Sequence, residues 1–183
     1  MSVRYCFIDL DGVCADLIGS VLRMFDRRDL LRSWPRGEYA IYKALGCDEA
    51  WMWEKIARDP DFWLNLELYP WADGLIAYAH DLGFQPVILS APKDPVSAMQ
   101  KLKWVEHHLG QWRLPVILTW DKHLLARPGR VLIDDFDDHV NQFREGGGEA
   151  ILWPQKWNSA HADERNADGI VRSTLRRLAW GAA

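Results

Sequence analysis

The sequence predicts an α/β protein with a Rossmann-like parallel sheet covered by helices on both faces. Two observations lead to this prediction. Short apolar runs recur along the 183 residues, and segments with helical spacing separate most of them. Each run is nearly continuous in apolar residues, which is typical of strands buried on both faces of a parallel sheet. With 49% apolar and 26% charged residues, the chain has enough apolar side chains for a core and is expected to be soluble and globular.

The predicted elements follow one another in a regular order. Strands are expected at residues 3–9, 86–90, 115–119, 130–134 and 149–153, and helices at 17–34, 74–83, 94–110, after 134 and at about 169–180. Asp16 and Asp94 precede two of these helices and are expected to cap them. Residues 17–70 interrupt the alternation of strands and helices. The sequence of residues 37–70 predicts only short helices, which are broken at Gly46 and Pro60. We therefore predict a core domain of residues 1–16 and 71–183 and an all-helical cap, residues 17–70, inserted after the first strand.

Composition excludes several classes of protein. The net charge of -4 argues against a partner such as duplex nucleic acid, which would require a basic face. No apolar run approaches the ~18 residues of a membrane span, and the chain enters a strand at once, so a cytoplasmic protein without a membrane partner is expected. The three cysteines form no CxxC pair and the six histidines lack zinc spacing, so we expect neither a disulfide framework nor a zinc site.

Polar residues follow the predicted strands at the edge where ligands bind in parallel sheets. They are Asp9, Asp11, Ser90, Thr119, Asp134 and Asp135. Residues two apart in an extended chain point the same way, so Asp9 and Asp11 are expected to face one site. Two adjacent carboxylates need a cation or a shared proton, and Mg²⁺ prefers oxygen ligands, of which Asp134 would supply another. Gly12 would let the backbone turn sharply and approach a ligand.

Each of these residues also has a simpler interpretation. Asp11 followed by glycine is typical of a turn, the Asp134–Asp135 pair is typical of a turn or a helix cap, and Ser90 is typical of a helix entry. Lys101 and Lys103 lie at opposite borders of the apolar face predicted for residues 94–110, so periodicity does not select either of them as a site residue. That predicted face consists of Val96, Met99, Leu102, Val105 and Leu109.

The complete set of motifs resembles the haloacid dehalogenase superfamily of phosphatases. The matching segments are "DLDG" (9–12), "LSAP" (89–92), Lys101 on the following helix and "IDD" (133–135), in that order. The longer blocks "DLDGVCAD", "ILSAP", "KLKWVEHHLG", "LTWDK" and "VLIDD" look most similar to the 5′(3′)-deoxyribonucleotidases, and the likeness covers most of residues 3–157.

The resemblance implies a Mg²⁺-dependent phosphatase that hydrolyses (deoxy)nucleoside monophosphates through an aspartyl-phosphate intermediate. It implies Asp9 as the nucleophile and Asp11 as the proton carrier, with Asp9, the backbone carbonyl of Asp11 and Asp134 as metal ligands. Asp135 is expected to support these ligands without binding the ion itself.

The resemblance also assigns the phosphate-binding residues. Ser90 and backbone amides near Ala91 would hold phosphate oxygens. Lys101 would neutralise the transferring phosphoryl group, and it is selected over Lys103 because it stands three residues before "WVE". Lys93, just past the serine, is a second candidate for the phosphate.

Aromatic residues are candidates for the leaving group. Five of the eleven tryptophans lie in or just beyond the predicted cap, and most should form its core. Trp51, Trp53, Phe62 and Trp63 are candidates to stack on a base. The sequence departs from the family twice near the mouth of the site: Trp120 replaces an arginine, and "FDD" follows "IDD" in place of Arg-Pro-Asp. Trp120 is therefore a further candidate contact of the substrate.

Two other functions remain as alternatives at this point. The first is the same chemistry on another small phosphoester, such as a sugar phosphate. A panel of substrates would distinguish it from the hydrolysis of nucleotides. A non-catalytic binding module on the same fold is disfavoured by the presence of both Asp9 and Asp11. Base preference, sugar preference and a homodimer are left open.

Overall fold

The computed structural model describes residues 4–161 and 167–180. Five strands, all paired in parallel, form one sheet in the order β3-β2-β1-β4-β5. They are β1 (Arg4–Ile8), β2 (Phe84–Ser90), β3 (Val116–Leu118), β4 (Arg130–Asp134) and β5 (Glu149–Leu152). The predicted parallel α/β sheet is therefore confirmed, although residue 3, where the first strand was expected to begin, lies outside the described residues.

Seven helices connect or follow the strands in the described residues. They are α1 (Leu17–Met24), α2 (Ile41–Leu45), α3 (Glu49–Ala57), α4 (Ala72–Asp81), α5 (Pro95–Leu109), α6 (Asp137–Glu145) and α7 (Ala167–Trp180). Short 3-10 turns occupy Arg28–Leu31, Gly110–Trp112 and Lys122–Leu125. None of these described helices combines the length and apolar character needed to cross a membrane.

The helix boundaries confirm the predicted caps and correct one predicted helix. Asp16 accepts a hydrogen bond from the backbone N–H of Gly19 (2.8 Å), and Asp94 accepts one from that of Ser97 (2.7 Å). The prediction of one helix over 17–34 is wrong, because α1 ends at Met24 and Asp26 adopts a left-handed φ of 53°. The segment after Pro60 forms turns where a short helix was expected.

Alternating side chains of β1 pack on opposite faces of the sheet. Cys6 and Ile8 belong to a buried cluster that includes apolar residues of α4, α5 and α7. Phe7 belongs to a second cluster, on the other face, with Phe143 of α6. Because each strand residue is covered on its own side, the strands need apolar residues at successive positions.

Helix α5 buries a different face from the one that its apolar spacing predicts. Three residues of the predicted face are about half exposed: Val96, Met99 and Leu102. Gln100 and Lys101 are buried instead, beside Trp104. The carbonyl oxygen of the Gln100 side chain accepts a hydrogen bond from the backbone N–H of Trp63 (3.2 Å), so a buried polar group is satisfied by the preceding segment. Polar partners, which spacing does not reveal, therefore orient this helix.

The strand order reverses around β1 and β4, and the carboxyl ends of these strands are the usual ligand site of such a sheet. The backbone N–H of Asp9 donates to the carbonyl of Ile133 (2.9 Å), which extends the pairing into the loop after β1. Residues 17–70, which hold α1–α3, contribute no strand to the five-stranded sheet. Apolar residues of this segment, such as Val21 and Met52, share one buried cluster with Ile8 of the sheet. The division into core and cap remains a prediction.

Candidate active site

The loop after β1 brings the chain close to the end of β4. Gly12 adopts a φ of 77°, and its N–H donates to the carbonyl of Ala15 (2.8 Å). A Cβ atom at Gly12 would lie 2.1 Å from Oδ2 of Asp135, so any side chain there would collide with that carboxylate. The glycine therefore allows both the turn and the close approach of the two strand ends.

Three carboxylates meet at these strand ends. Asp9, Asp134 and Asp135 are all buried, and each offers an oxygen within 4.8 Å of the others. Burial raises the pKa of Asp9 to about 6, against the opposing effect of Lys122 and with a smaller upward contribution from Asp134. Burial and the neighbouring carboxylates also raise the pKa of Asp135 well above its usual range. A cation would relieve this repulsion.

Lys122 supplies part of the missing positive charge. Its ammonium nitrogen lies 2.7 Å from Oδ1 of Asp9 and 2.7 Å from Oδ2 of Asp134, and its side chain is 1% exposed. Although burial opposes the charge, the two carboxylates raise the pKa of Lys122 above its usual value. Sequence reasoning did not identify this residue, since a lysine in a polar loop is typical of the surface. The available signal was its place in "LTWDK", directly after the third predicted strand.

The two adjacent aspartates of β4 and its following loop have different hydrogen-bond partners. Oδ2 of Asp134 lies near both Lys122 and Nδ1 of His139 (3.2 Å), and Oδ1 accepts from the backbone N–H of Phe136 (2.9 Å). The ion pair with Lys122 lowers the pKa of Asp134 despite its burial. In contrast, Oδ1 of Asp135 is buried and has no hydrogen-bond partner among the described residues. Of these two adjacent aspartates, Asp135 is therefore the one with a carboxylate oxygen that no described residue contacts, and Oδ1 of Asp11 shares this property.

The segment after β5 supports this arrangement. The indole N–H of Trp157 donates to Oδ2 of Asp135 (2.5 Å), and the side-chain amide of Asn158 donates to the backbone carbonyl of Asp135 (2.8 Å). The side-chain amide of Gln155 donates to the carbonyl of Gly12 (2.6 Å). All three supporting side chains are buried, so they hold both strand ends in place. None of them was predicted as a site residue.

Lys101 forms an ion pair with Asp11, as Lys122 does with Asp9. Its ammonium group donates to Oδ2 of Asp11, to Oγ of Ser90 (2.9 Å) and to the carbonyl of Ala91 (3.3 Å). Its side chain is also 1% exposed, whereas Lys103 is exposed. Of the two lysines that periodicity left open, the structure brings Lys101 to the aspartates.

A cavity of about 350 Å³ opens beside these groups. Asp11, Asp135 and Ala91 line it together with residues of the 17–70 segment, while Asp9 is buried next to them. The full lining is Asp11, Gly12, Leu17, Ile18, Tyr39, Ala40, Ile41, Tyr42, Glu49, Met52, Trp53, Trp63, Ala91, Pro92, Lys93, Trp120 and Asp135. The predicted cap therefore supplies most of the apolar and aromatic wall.

The aromatic candidates separate into two groups. Trp53, Trp63 and Trp120 line the cavity, and the rings of Trp53 and Trp63 are nearly parallel with centroids 6.4 Å apart. Trp51 and Phe62 do not line it: each borders a different surface depression, and the Phe62 ring is packed edge-on against Trp63. The structure therefore brings only the first group to the place where a leaving group would lie.

The remaining predicted contacts lie at the rim of the cavity. The ammonium group of Lys93 lies 4.6 Å from the ring centroid of Trp53. The indole N–H of Trp120 donates to the carbonyl of Pro92, and the side chain is otherwise exposed. Phe136, at the second departure from the family pattern, stacks on Tyr39 with ring centroids 4.1 Å apart. Trp120 therefore adds aromatic surface to the cavity, whereas Phe136 contacts the cavity wall only through Tyr39.

The donor set fits a hard divalent cation. When all four carboxyls of Asp9, Asp11, Asp134 and Asp135 are ionised, as a bound cation favours, they exceed the two ammonium groups of Lys101 and Lys122 by two negative charges. All available ligand atoms are oxygens, as Mg²⁺ prefers. The partnerless oxygen of Asp135 gives such an ion a ligand that nothing else in the described residues uses.

Comparison with known proteins gives both a family and a fold. Residues 2–171 match the family described as "5' nucleotidase, deoxy (Pyrimidine), cytosolic type C protein". The chain is 36% identical over 163 residues to the human "5'(3')-deoxyribonucleotidase, cytosolic type", an alignment that covers 83% of this chain and 80% of the human protein.

Solved structures with a similar fold are hydrolases of the HAD superfamily, named for haloacid dehalogenase. One, from Ehrlichia chaffeensis, has a TM-score of 0.55 at 12% identity and covers 97% of this chain and 99% of its own. A haloacid dehalogenase-like hydrolase from Xanthomonas campestris has a TM-score of 0.56 at 14% identity, covering 97% of this chain and 93% of its own. At these identities the likeness supports the fold alone.

Proposed function

This chain belongs to the family of cytosolic type C 5′-nucleotidases, and we propose that it hydrolyses deoxynucleoside monophosphates with Mg²⁺ through a phosphorylated Asp9. Family membership makes the chain a phosphoric monoester hydrolase of the 5′-nucleotidase type, which removes the non-catalytic binding module from consideration. The observation that carries the finer proposal is the cluster of three buried carboxylates, the partly exposed Asp11 and two buried lysines beside an aromatic cavity.

The first step in this proposal transfers the phosphoryl group to the enzyme. A carboxylate oxygen of Asp9 attacks the phosphorus, and the bond between phosphorus and the nucleoside oxygen breaks. Asp11 gives a proton to that leaving oxygen, so the nucleoside departs as a neutral alcohol. The position of Asp11 on the cavity wall, with one buried carboxylate oxygen that has no partner in the described residues, supports this role.

The second step releases phosphate and restores the enzyme. Asp11, now ionised, takes a proton from a water molecule whose oxygen attacks the phosphorus. The bond between phosphorus and Asp9 breaks, which yields inorganic phosphate and the free carboxylate. Lys122, which is hydrogen-bonded to Asp9, and Lys101, which is hydrogen-bonded to Asp11 and Ser90, would offset negative charge on the transferring group.

We assign the metal ligands differently from the sequence expectation. Asp9, the backbone carbonyl of Asp11 and Asp135 would hold Mg²⁺, while Asp134 would orient Lys122. The partners of Asp134 support this exchange of roles, because its oxygens already accept from Lys122 and from the backbone N–H of Phe136. When bound, the ion supplies Lewis-acid stabilisation of negative charge on the phosphoryl oxygens.

The remaining roles concern binding. Ser90 and the amide of Ala91 would hold phosphate oxygens, with Lys93 at the rim as a further cation. Trp53, Trp63 and Trp120 would contact the nucleoside, and the segment 17–70 would act as the cap that excludes water from the reaction. We propose a cytoplasmic location, since the human relative is of the cytosolic type.

A phosphate-release assay with Mg²⁺ tests the proposal. The panel contains deoxy- and ribonucleoside monophosphates, sugar phosphates and p-nitrophenyl phosphate. We expect the highest kcat/KM on deoxynucleoside monophosphates, weaker activity on sugar phosphates and none after chelation with EDTA. Preference for a sugar phosphate, or full activity without a divalent ion, would contradict it.

The nucleophile is tested separately. Asp9→Asn should fold normally but release no phosphate, and beryllium fluoride, which mimics a phosphoryl group on aspartate, should bind only when Asp9 is present. Undiminished turnover by a folded Asp9→Asn variant would rule out the aspartyl-phosphate mechanism.

A further inference from the structure

We propose that Gln100 is a positioning residue, which fixes Trp63 of the 17–70 segment over the ammonium group of Lys101. Residues 60–66 then form a fixed wall of the active site. This inference rests on the proposed function, because that function gives Lys101 its role in the reaction. It goes further by naming a residue that touches no substrate and acts on the reaction through another side chain.

The side-chain amide of Gln100 uses both of its ends to bind the 17–70 segment. Gln100 lies on α5 and is 5% exposed. Its oxygen accepts from the backbone N–H of Trp63 (3.2 Å), and its nitrogen donates to the backbone carbonyl of Pro60. Within the described residues, that N–H and that carbonyl have no other hydrogen-bond partner. Because the oxygen meets a donor and the nitrogen meets an acceptor, the amide fits in one orientation only.

A second side chain of α5 binds the same segment one helical turn later. The indole N–H of Trp104 donates to the backbone carbonyl of Leu66 (2.8 Å), and Trp104 is fully buried. Gln100 and Trp104 are four residues apart, so they lie on one face of the helix. Three backbone groups of residues 60–66 are therefore hydrogen-bonded to α5, which fixes this stretch relative to that helix.

Lys101 follows Gln100 on the same helix, and the Trp63 ring lies against it. The ammonium nitrogen of Lys101 is 5.0 Å from the centroid of that ring, within the ~6 Å range of a cation–π contact. The side chain of Lys101 is 1% exposed, so the ring is part of what keeps water from the ammonium group. A charge attracts a phosphoryl group more strongly where water is excluded. Displacement of Trp63 would therefore weaken the action of Lys101 on the transferring group.

Trp63 needs an anchor from outside its own segment. Its ring packs against Trp53 and Phe62, which both belong to residues 17–70. Contacts within one segment move with that segment, so they do not set the distance between the Trp63 ring and Lys101. Gln100 belongs to the helix that carries Lys101 and binds the backbone of Trp63 itself. Its hydrogen bond therefore sets that distance.

The test measures kcat on p-nitrophenyl phosphate and on a deoxynucleoside monophosphate, with Mg²⁺, in Gln100→Met, Gln100→Glu and Gln111→Met. We expect Gln100→Met to lower kcat on both substrates by about 10- to 100-fold, since misplacing a site group by about 1 Å costs up to about 10²-fold. Gln100→Glu keeps an acceptor for the N–H of Trp63, so it should retain a higher kcat than Gln100→Met. The control Gln111→Met should match the wild type, because Gln111 is exposed and its amide donates to Asp73 (2.8 Å), outside the cavity.

Two further measurements separate positioning from general stability. In the double variant Gln100→Met/Trp63→Ala, kcat should equal that of Trp63→Ala alone, because the ring through which Gln100 acts is already absent. Hydrogen exchange followed by mass spectrometry should be faster in Gln100→Met than in the wild type for the peptide that covers residues 60–66, and unchanged for peptides of the sheet. The exchange measurement needs no substrate. Should Gln100→Met fail to fold, Gln100→Asn replaces it, since its amide is one methylene too short to reach both backbone groups.

The outcomes separate this inference from the proposed function. If nucleotides are good substrates but Gln100→Met keeps the wild-type kcat, or if its loss adds fully to that of Trp63→Ala, the role of Gln100 is wrong and the proposed function stands. Equal losses in Gln100→Glu and Gln100→Met, or faster exchange throughout the sheet, would show that Gln100 only stabilises the fold. If the wild type hydrolyses p-nitrophenyl phosphate but no nucleotide, the proposed function fails, while kcat on p-nitrophenyl phosphate still decides the role of Gln100.

Discussion

The ammonium nitrogen of Lys122 lies 2.7 Å from Oδ2 of Asp134, and both side chains are almost fully buried. The same nitrogen also contacts Asp9, so one lysine from the loop after β3 joins the ends of β1 and β4. A buried charge of this kind is stable only because its partners are ionised. Lys122 therefore contributes to stability as well as to the proposed chemistry.

Lys122→Met should lower both stability and turnover. Removing one partner of a buried ion pair costs about 3–5 kcal/mol, so the midpoint of urea unfolding should fall clearly. Loss of a cation near the transferring phosphoryl group should lower kcat by at least about 10²-fold. The matched control is Lys103→Met, at an exposed position on α5. Wild-type stability and kcat in Lys122→Met would contradict the assigned contacts.

The sheet could be predicted from the sequence because its strands are continuous apolar runs, and this pattern depends only on burial. The role of Lys122 could not be predicted, because a lysine in a polar segment has the same local pattern whether it faces water or buried carboxylates. Asp134 and Asp135 are adjacent and chemically identical, so only their hydrogen-bond partners support the different roles that we propose for them. The apolar spacing of α5 predicted the wrong buried face for a related reason, because the face that is buried is partly polar.

Asp135→Asn and Asp134→Asn should have different effects on metal binding. Asp135→Asn removes the oxygen that has no other partner, so we expect the Kd for Mg²⁺ to rise at least about tenfold. Asp134→Asn removes the carboxylate that pairs with Lys122, so we expect the larger loss to be in stability. Isothermal titration with Mg²⁺ and thermal unfolding of the metal-free proteins measure the two effects.

The opposite result in the Mg²⁺ titration would support the ligand set expected from the sequence. If Asp134→Asn abolishes Mg²⁺ binding while Asp135→Asn retains wild-type affinity, Asp134 is the ligand. Asp138→Asn is a suitable control, because this exposed aspartate lies on α6 and outside the carboxylate cluster.

Metal affinity should fall in acid. Burial raises the pKa of Asp9 to about 6 in the metal-free protein, so a proton binds this carboxyl more tightly in the folded than in the unfolded state. Its contribution to metal-free stability is therefore present at low pH and is lost as pH rises through about 6. Mg²⁺ needs the ionised form, so its affinity should fall as the pH drops through about 6, and this one carboxyl accounts for a loss of up to about tenfold per pH unit. Titration with Mg²⁺ at pH 5, 6, 7 and 8 checks this, and an affinity that is constant across the series would contradict it.

Trp53→Ala should weaken nucleotide hydrolysis selectively. A base stacked on an aromatic ring gains about 1–3 kcal/mol, so kcat/KM for deoxynucleoside monophosphates should fall about 5- to 150-fold while p-nitrophenyl phosphate is affected much less. Trp63→Ala should lower the turnover of both substrates, because the Trp63 ring also lies 5.0 Å from the ammonium group of Lys101. Trp51→Ala is the matched control, since Trp51 packs on Phe25 outside the cavity and should leave both substrates at wild-type rates. Equal losses on both substrates in Trp53→Ala would mean that this ring stabilises the cap without contacting a base.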